Sequence, residues 1–274
     1  MKNFNFNRFW QVLKWTIVSE KKSILTAAVA FTVAFLAIQL FSCFTIFDIT
    51  RGLGRVATEA GMVTCAVLLS FMACYYASGI LGNAHTTQQR ATALMLPASN
   101  LEKFTARIIY CCIFMMVLLY VAAVAATGLR MLLELIAGHD DITSAFSTLF
   151  GNMSTIRINS NMTDGHFFFI ASSLWTTSLF VLGGVFFSKR PFIWTNVTLI
   201  VGFIVLFTLF FYIGVMIGEE NLEKMLRPIF KDMTIETFIC IVDIVLIAFT
   251  VLNVWLSYRL YKRLQIVQHK WFNV

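Results

Sequence analysis

The chain has few charged residues. Asp, Glu, Lys and Arg together make up 13% of its 274 residues, against about 25% in an ordinary soluble protein. Hydrophobic residues make up 59%, and long stretches contain no Lys or Arg. A soluble globule of this length would need more polar residues for its surface. The composition therefore excludes a soluble enzyme, a disordered tail and a collagen-like fibre, and it indicates a membrane protein.

Proline is scarce as well, and its three positions are informative. Pro97, Pro191 and Pro228 all lie between apolar stretches, which favours uninterrupted helices within those stretches. Each apolar stretch is longer than about 20 residues and lacks the alternating pattern of a barrel strand. The sequence therefore predicts an all-α, polytopic membrane protein.

Sequence motifs for chemistry are missing. The chain has no G-x-x-x-x-G-K-[ST], no H-E-x-x-H and no G-x-S-x-G, so we predict no nucleotide site and no catalytic residue. Its six cysteines form no C-x-x-C pair and its four histidines do not cluster, so we predict no metal site. The net charge of +7 comes from short groups of Lys and Arg beside apolar stretches. That distribution is typical of membrane orientation and argues against nucleic-acid binding.

Six stretches without Lys or Arg are long enough to cross a bilayer, which takes about 20 helical residues. The predicted spans are residues 23–47, 61–82, 108–129, 167–188, 192–218 and 237–258. Fourteen of the 21 Lys and Arg residues lie on the side that holds both termini. Because positive charges are enriched on the cytoplasmic side, we predict that both termini are cytoplasmic. The whole chain, 1–274, is predicted to form one membrane domain.

Residues 1–22 precede the first predicted span and are predicted to form an interfacial amphipathic helix. Phe6, Trp10, Leu13 and Ile17 recur at helical spacing, and polar or basic residues fill much of the remainder. Such a helix lies in the headgroup layer with its apolar side toward the lipid tails. An unstructured basic tail is the alternative. Three residues are predicted to contact the membrane interface: Trp10, Lys14 and Trp15.

The cytoplasmic loop at 83–107 contains a predicted helix start. Ser99-x-x-Glu102 matches a capping box, and Pro97 ends whatever element precedes it. The apolar stripe that follows runs into the third span through Leu101, Phe104 and Ile108. We therefore predict helix, break, helix. The loop is either a defined surface for a partner or a plain connection between two membrane helices.

Two segments on the outer side are longer than simple turns. Residues 130–166 begin with an amphipathic stretch and continue with many Ser, Asn and Thr residues. Residues 219–236 carry charges of both signs and a short apolar stripe at helical spacing. We interpret 219–236 as an outer helical excursion, either dipping into the interface or covering the helix bundle.

Asp243 is the one formal charge well inside a predicted span. A carboxylate at that depth costs about 2.5–3.5 kcal/mol on insertion scales, so it should face protein or water. Thr250, Asn253 and Ser257 share its helix face. The sequence leaves two interpretations of Asp243, Thr250 and Asn253: a translocation path or proton relay, or hydrogen bonding between packed helices.

Small residues are grouped in the fourth and fifth spans. Gly183 and Gly184 lie on a broad face of small side chains, and Gly214-x-x-x-Gly218 is a small-xxx-small motif. Both patterns favour close helix packing, either within one chain or across a dimer.

The segment Leu96-Pro-Ala-Ser-Asn-Leu-Glu-Lys-Phe104, followed by Arg107, resembles the permease subunits of the ATP-binding-cassette type-2 export family. The likeness is to the compact members common in Bacteroidetes-type bacteria. The tail Tyr258-Arg-Leu-Tyr-Lys-Arg-Leu-Gln265 is similar in style. The predicted layout also resembles that family along the whole chain, with an N-terminal interfacial helix, six spans and cytoplasmic termini.

The resemblance implies a transport subunit without enzymatic activity of its own. A separate ATPase subunit would bind ATP and Mg²⁺ and dock on the loop between spans two and three. The docked ATPase would then power alternating access. The residues implied at this ATPase-coupling interface are Gln88, Arg90, Pro97, Ser99, Asn100, Glu102 and Lys103. A second permease copy or a paralogue would complete the path, in a bacterial inner membrane. The alternatives are a non-transport membrane scaffold or assembly protein and an ion-coupled carrier that uses Asp243.

Overall fold

The structure is a computed structural model of the full chain. It describes residues 4–47, 54–81, 95, 97–136, 155–158, 161–164, 166–217 and 235–263. Where the sequence predicts one domain, the chain groups into two compact units, Met1–His166 and Phe167–Val274.

The described part of the first unit contains five α-helices and one π-helical segment. In chain order they are α1 (Phe6–Ser19), α2 (Lys21–Phe47), α3 (Gly54–Ser78), α4 (Asn100–Ile108), the π segment (Ile109–Phe114) and α5 (Met115–Ile136). The last three follow one another without a break, so the predicted third span is the central part of a longer helix. A π turn inside a helix leaves one extra residue in the turn, and such turns recur at functional sites.

The core of the first unit lies where α2 packs against α3 and α5. Large side chains pack there beside small ones, which lets the three helices approach closely. The buried members are Phe35, Cys65, Leu69, Leu119, Ala122, Ala123 and Ala126. The cysteine at this position serves as a small packing residue, as its apolar surroundings in the sequence predict.

A short hairpin follows α5 in the chain and was not predicted. Strand β1 (Thr155–Ile158) pairs antiparallel with β2 (Asn161–Asp164), with Ile158 opposite Asn161. Two β-branched isoleucines in β1 favour an extended chain, but four residues are too few to show a clear alternating pattern. Every other element among the described residues is helical, as the sequence predicts.

The second unit contains three long helices. They are α6 (His166–Phe186), α7 (Pro191–Ile217) and α8 (Ile235–Lys262). The turn between α6 and α7 is tight, with Arg190 at a φ of 46° in the left-handed region. Pro191 then occupies the first helical position, where its fixed φ and missing N–H are favourable.

Five helical stretches among the described residues are long and apolar enough to cross a membrane. They are Lys21–Phe41, Asn100–Leu133, Phe167–Phe186, Pro191–Ile217 and Thr237–Lys262. These coincide with five of the six predicted spans and support a multi-pass helical membrane protein. The remaining predicted span, 61–82, is the second in chain order and lies on α3, whose described apolar part is the shorter Val63–Ser78. It therefore stays a prediction, as does the cytoplasmic position of both termini. Most of the predicted excursion 219–236 lies outside the described residues.

Candidate functional site

The N-terminal helix α1 packs on the segment that leads into the third span. Phe9, Val12 and Leu13 are buried against Ala106 and Tyr110, on α4 and the π segment. The expectation that Leu13 faces lipid is therefore wrong, because it is part of a protein core. The helix begins after Asn5, whose side chain accepts a hydrogen bond from the Asn7 backbone N–H.

One face of α1 stays exposed and carries aromatic and basic residues together. Phe6 and Trp10 are exposed, in agreement with the predicted stripe, and Trp15 and Lys14 are exposed as well. Indole rings beside a lysine suit the headgroup layer, where an apolar ring and a charged group are both solvated. The predicted interface contact by Trp10, Lys14 and Trp15 is compatible with this exposure and stays a prediction.

Glu102 joins α1 to α4. Its side chain is 0% exposed. Oε1 accepts a hydrogen bond from the Asn5 backbone N–H at 2.7 Å and lies 3.2 Å from Nη2 of Arg8. Oε2 accepts from the Ser99 backbone N–H at 2.7 Å, and the Ser99 hydroxyl accepts from the Glu102 N–H at 3.3 Å. The predicted capping box is confirmed. We call Asn5, Arg8, Ser99 and Glu102 the Glu102 junction.

Two basic residues of α4 are turned inward, as Glu102 is. Lys103 and Arg107 are both buried, one turn apart, and Nη1 of Arg107 donates to the backbone carbonyl of Ile80 at 3.1 Å. This bond ties α4 to the chain that follows α3. Of the seven predicted coupling residues, Glu102 and Lys103 are thus used inside the chain, and Gln88 and Arg90 lie outside the described residues.

A small exposed surface remains at the start of α4. Pro97 and Asn100 are exposed, Ser99 is half-buried, and two apolar side chains beside them face outward. Met95 is 82% exposed and Leu101 is 40% exposed. Both precede residue 108, where the sequence places the start of the third span, and Leu101 also lies in the apolar helical stretch Asn100–Leu133. We call Met95, Pro97, Asn100 and Leu101 the α4 entry surface.

A second polar contact holds the other end of α1. The Tyr110 hydroxyl donates to Oε2 of Glu20 at 2.7 Å, and Tyr110 lies in the π segment. Glu20 directly follows α1, at its C-cap. The helix α1 is therefore fixed to the third-span helix near both of its ends. The sequence shows an acidic residue just before the first span, but nothing local links it to Tyr110.

A polar contact inside the first unit was missed by the sequence analysis. Gln39, on α2, is 1% exposed, and its Nε2 donates to Oγ1 of Thr127 at 3.2 Å. Cys65 on α3 lies beside the same amide, with its Sγ 3.9 Å from Nε2. Among the described residues, Oε1 of Gln39 has no hydrogen-bond partner. An amide within a stretch free of Lys and Arg is the signal that could have indicated this contact.

The polar face of α8 is turned toward the protein, as the sequence predicts. Asp243, Asn253 and Ser257 are buried and Thr250 is half-buried. The Nδ2 of Asn253 donates to the hydroxyl of Ser178 on α6 at 3.1 Å. Thr250 and Ser257 donate to carbonyls of their own helix, at 2.8 and 2.7 Å. Each of these three polar side chains therefore has a partner within the second unit.

Asp243 differs from its neighbours on that face. Its side chain is 4% exposed, and Oδ1 is buried without a hydrogen-bond partner among the described residues. A buried polar atom in a membrane normally has a protein or water partner, because leaving it without one is costly. The packing interpretation holds for Asn253 and does not account for Asp243.

The small residues of α6 and α7 have different surroundings. A Cβ added at Gly183 would overlap the side chain of Thr195, so α6 and α7 approach closely there, as the small-residue face predicts. A Cβ added at Gly214 would meet nothing within 4 Å. Gly214 therefore makes no close helix contact with the described part of this chain.

Candidate metal ligands are not grouped in the described residues. Within these ranges no three His, Cys, Asp or Glu residues are placed to hold a metal ion. The described cysteines Cys65, Cys74, Cys111, Cys112 and Cys240 are all free thiols.

Comparison with known proteins gives no assignment. No protein-family model, curated protein or solved structure matches this chain. The likeness of the 96–104 segment to type-2 export permeases therefore stays an interpretation of the sequence.

Proposed function

We propose that the chain is the membrane-spanning permease subunit of an ATP-driven exporter, powered by a separate ATPase that docks on the loop between spans two and three. The observation that carries this proposal is the Glu102 junction. It fastens the N-terminal helix α1 to the start of α4, beside the predicted docking loop. The resemblance of residues 96–104 to export permeases adds to it.

The junction gives a mechanical route from the loop into the membrane. The helix from Asn100 to Leu133 is continuous, so a displacement of its first turn is carried along the third span. The helix α1 would move with it, because Glu102 and Tyr110 hold its two ends. Closure of an ATPase pair would in this way rock packed helices between two arrangements.

The α4 entry surface is the part of the predicted coupling interface that a partner would contact. Pro97 and Asn100 remain contact residues in this proposal, and Met95 and Leu101 join them. Exposed apolar side chains rimmed by polar residues are typical of protein interaction sites. Glu102 and Lys103 would shape this surface from inside, and Ser99 would cap its helix.

Isolation of the tagged full chain from its native membrane in mild detergent tests the proposal. We expect an ATPase subunit to co-purify and to be identified by mass spectrometry and ATP hydrolysis. Leu101→Asp should remove that subunit, because a charge at the centre of an apolar contact must be desolvated on docking. Val18→Asp is the matched control, since it introduces the same charge on an exposed apolar residue of α1.

Two results would contradict the proposal. The first is a chain that co-purifies with no ATPase from its native membrane. The second is an ATPase that binds Leu101→Asp and Val18→Asp equally well, which would move the docking site away from the α4 entry surface. Glu102→Ala is not a suitable docking variant, because it breaks a contact within the chain itself.

The permease proposal includes a second permease subunit, either a copy or a paralogue, and the lipid of a bacterial inner membrane. The face of α7 around Gly214 is unoccupied by the described part of this chain, so lipid or the second subunit has room to approach there. Crosslinking between cysteines introduced at Gly214 would distinguish these two neighbours. A non-transport scaffold would give neither an ATPase nor flux.

Oδ1 of Asp243, which has no hydrogen-bond partner within the described ranges, favours a second candidate, an ion-coupled carrier. Such a carrier would show flux driven by a pH gradient without ATP, in vesicles that contain only this chain. Asp243→Asn should abolish that flux, because an amide side chain does not bind and release a proton near neutral pH. Flux that requires ATP and an ATPase subunit would decide for the permease instead.

A further inference from the structure

We infer that the end of α8 binds the headgroup of an anionic phospholipid through Arg259 and Lys262. The inference concerns the second unit alone and does not use the proposed transport function. Both side chains are exposed, in the last turn of a helix that is apolar enough to cross a membrane. Arg259 directly follows the last predicted span, which ends at residue 258. Its charge is therefore expected where the hydrocarbon meets the headgroup layer.

Two aromatic rings hold these cations in position. Cζ of Arg259 lies 4.2 Å from the centroid of the Trp255 ring, and Nζ of Lys262 lies 4.5 Å from that of Tyr258. A guanidinium that stacks on a ring keeps N–H donors at its edge, in the fork that fits two phosphate oxygens. Because the ring contact already orders the side chain, less conformational entropy is lost when a headgroup binds.

The end of α8 is rich in positive charge and poor in negative charge. Arg263 adds a third exposed cation, and residues 244–274 contain no Asp or Glu. Asp243 precedes this stretch, and residues 243 and 259 are about 24 Å apart along a helix axis. That separation is more than twice the screening length of about 10 Å at 0.1 M salt. The charge of this helix end is therefore complementary to an anionic group.

The same face of α8 offers a surface for acyl chains. Ile244, Val251 and Trp255 are exposed, and with Arg259 they recur at spacings of seven and four residues, on one side of the helix. Val251 lies two turns before Arg259, about 12 Å along the axis, and the hydrocarbon of one leaflet is about 15 Å deep. One lipid can therefore place its headgroup at Arg259 and its chains on the apolar side chains. An acidic protein surface would match the cations but not this apolar strip.

Quenching of Trp255 by brominated lipid tests the inference in the full chain. Of the six tryptophans only Trp255 is kept, and the others are replaced by Phe. The chain is placed in phosphatidylcholine nanodiscs that contain a small fixed fraction of brominated lipid, either phosphatidylglycerol or phosphatidylcholine. Both lipids carry a phosphate, but choline neutralises it in the second. We expect phosphatidylglycerol to associate at Trp255 about fivefold more strongly, the effect of one cation beside an anionic headgroup.

Two double variants separate this site from the general charge of the protein. Arg259→Gln with Lys262→Gln should remove most of the preference for phosphatidylglycerol. Lys189→Gln with Arg190→Gln is the matched control, because it also removes one exposed Lys and one exposed Arg of the second unit, at the turn between α6 and α7. Both double variants lower the net charge equally, and the control should keep the preference. All four side chains are exposed, so both variants are expected to fold, and thermal unfolding curves check this.

Three results would overturn the inference. Equal quenching by the two lipids, with Arg259 and Lys262 in place, overturns it without any variant at the site and would leave an acidic protein as the partner of these cations. A preference that survives Arg259→Gln with Lys262→Gln overturns it, and so does an equal loss in both double variants. The nanodiscs contain no ATPase, so the outcome is independent of the permease proposal.

Discussion

Glu102 and Asp243 are both buried carboxylates, and they belong to different units of the chain. Glu102 is 0% exposed and has two backbone N–H donors together with the guanidinium of Arg8. Asp243 is 4% exposed and has an oxygen with no partner among the described residues. Burial alone would place the two residues in one class, and their hydrogen-bond partners separate them.

The difference indicates what each carboxylate does. A carboxylate surrounded by donors holds its neighbours in place, and removing it leaves those donors buried without an acceptor. A carboxylate oxygen without a donor adds no hydrogen bond to the folded chain and costs free energy to bury. We therefore assign Glu102 a structural role between α1 and α4, and among the described residues Oδ1 of Asp243 has no such role.

The largest expected effect is that of Glu102→Ala. The variant leaves the N–H groups of Asn5 and Ser99 without their acceptor and separates Arg8 from its counter-charge. Because Arg8 is 29% exposed, water compensates part of that loss. We expect the free energy of unfolding to fall by about 3 kcal/mol. Reversible unfolding in SDS–detergent mixed micelles measures it.

Glu102→Gln is the matched control for that variant. The amide oxygen still accepts one hydrogen bond, and glutamine is also found at this position of a capping box. The free energy of unfolding should therefore fall by about half as much as in Glu102→Ala. A loss for Glu102→Ala as small as that of an exposed surface substitution would show that the junction does not hold α1.

The sequence predicted one half of the Glu102 junction and not the other. Ser99 and Glu102 are three residues apart, so their capping box is a local pattern that the sequence displays. Asn5 and Arg8 are more than 90 residues away from Glu102, and no spacing rule connects them. Their contact depends on how α1 packs, which is a property of the tertiary structure.

The polar face of α8 shows the same limit. The seven-residue spacing of Asp243, Thr250 and Ser257 predicted a face turned away from lipid, because helical geometry alone fixes it. The partner of Asn253 is 75 residues away, and the sequence gives no reason to choose Ser178 over other small polar residues of the fourth span. That Oδ1 of Asp243 has no such partner among the described residues was equally beyond the sequence.

A second prediction concerns how the unit that contains Asp243 is held together. Gly183→Ala should lower the free energy of unfolding by about 2 kcal/mol, because the added methyl group overlaps the side chain of Thr195. Thr195→Ala in the same chain should restore part of that loss by removing Oγ1 and Cγ2, although the Cβ of residue 195 still lies 2.8 Å from the added methyl group. If the double variant is no more stable than Gly183→Ala, the close approach of α6 and α7 is not the cause.

A third, smaller effect is expected on the polar face of α8 itself. Asn253→Ala removes the hydrogen bond to Ser178, and hydrogen bonds between membrane helices contribute about 0.6 kcal/mol on average. Ser178→Ala should cost a similar amount, and the two changes together should cost little more than one alone. Fully additive losses would mean that the two side chains do not interact.

The smallest effect on stability, and the one that separates the two carboxylates most directly, is expected for Asp243→Asn. The substitution is the same in kind as Glu102→Gln, with a carboxylate replaced by its amide. At Glu102 it weakens contacts that exist, so stability falls. At Asp243 the part of the chain that the structure describes makes no such contact with Oδ1, and the cost of burying a charge disappears. The free energy of unfolding should therefore stay within about 0.5 kcal/mol of the wild type or rise. The same unfolding assay measures both variants, with Asn253→Ala as the reference for a lost hydrogen bond. If Asp243→Asn instead costs as much as Glu102→Gln, Asp243 has a partner of its own in the folded chain and the two carboxylates are alike.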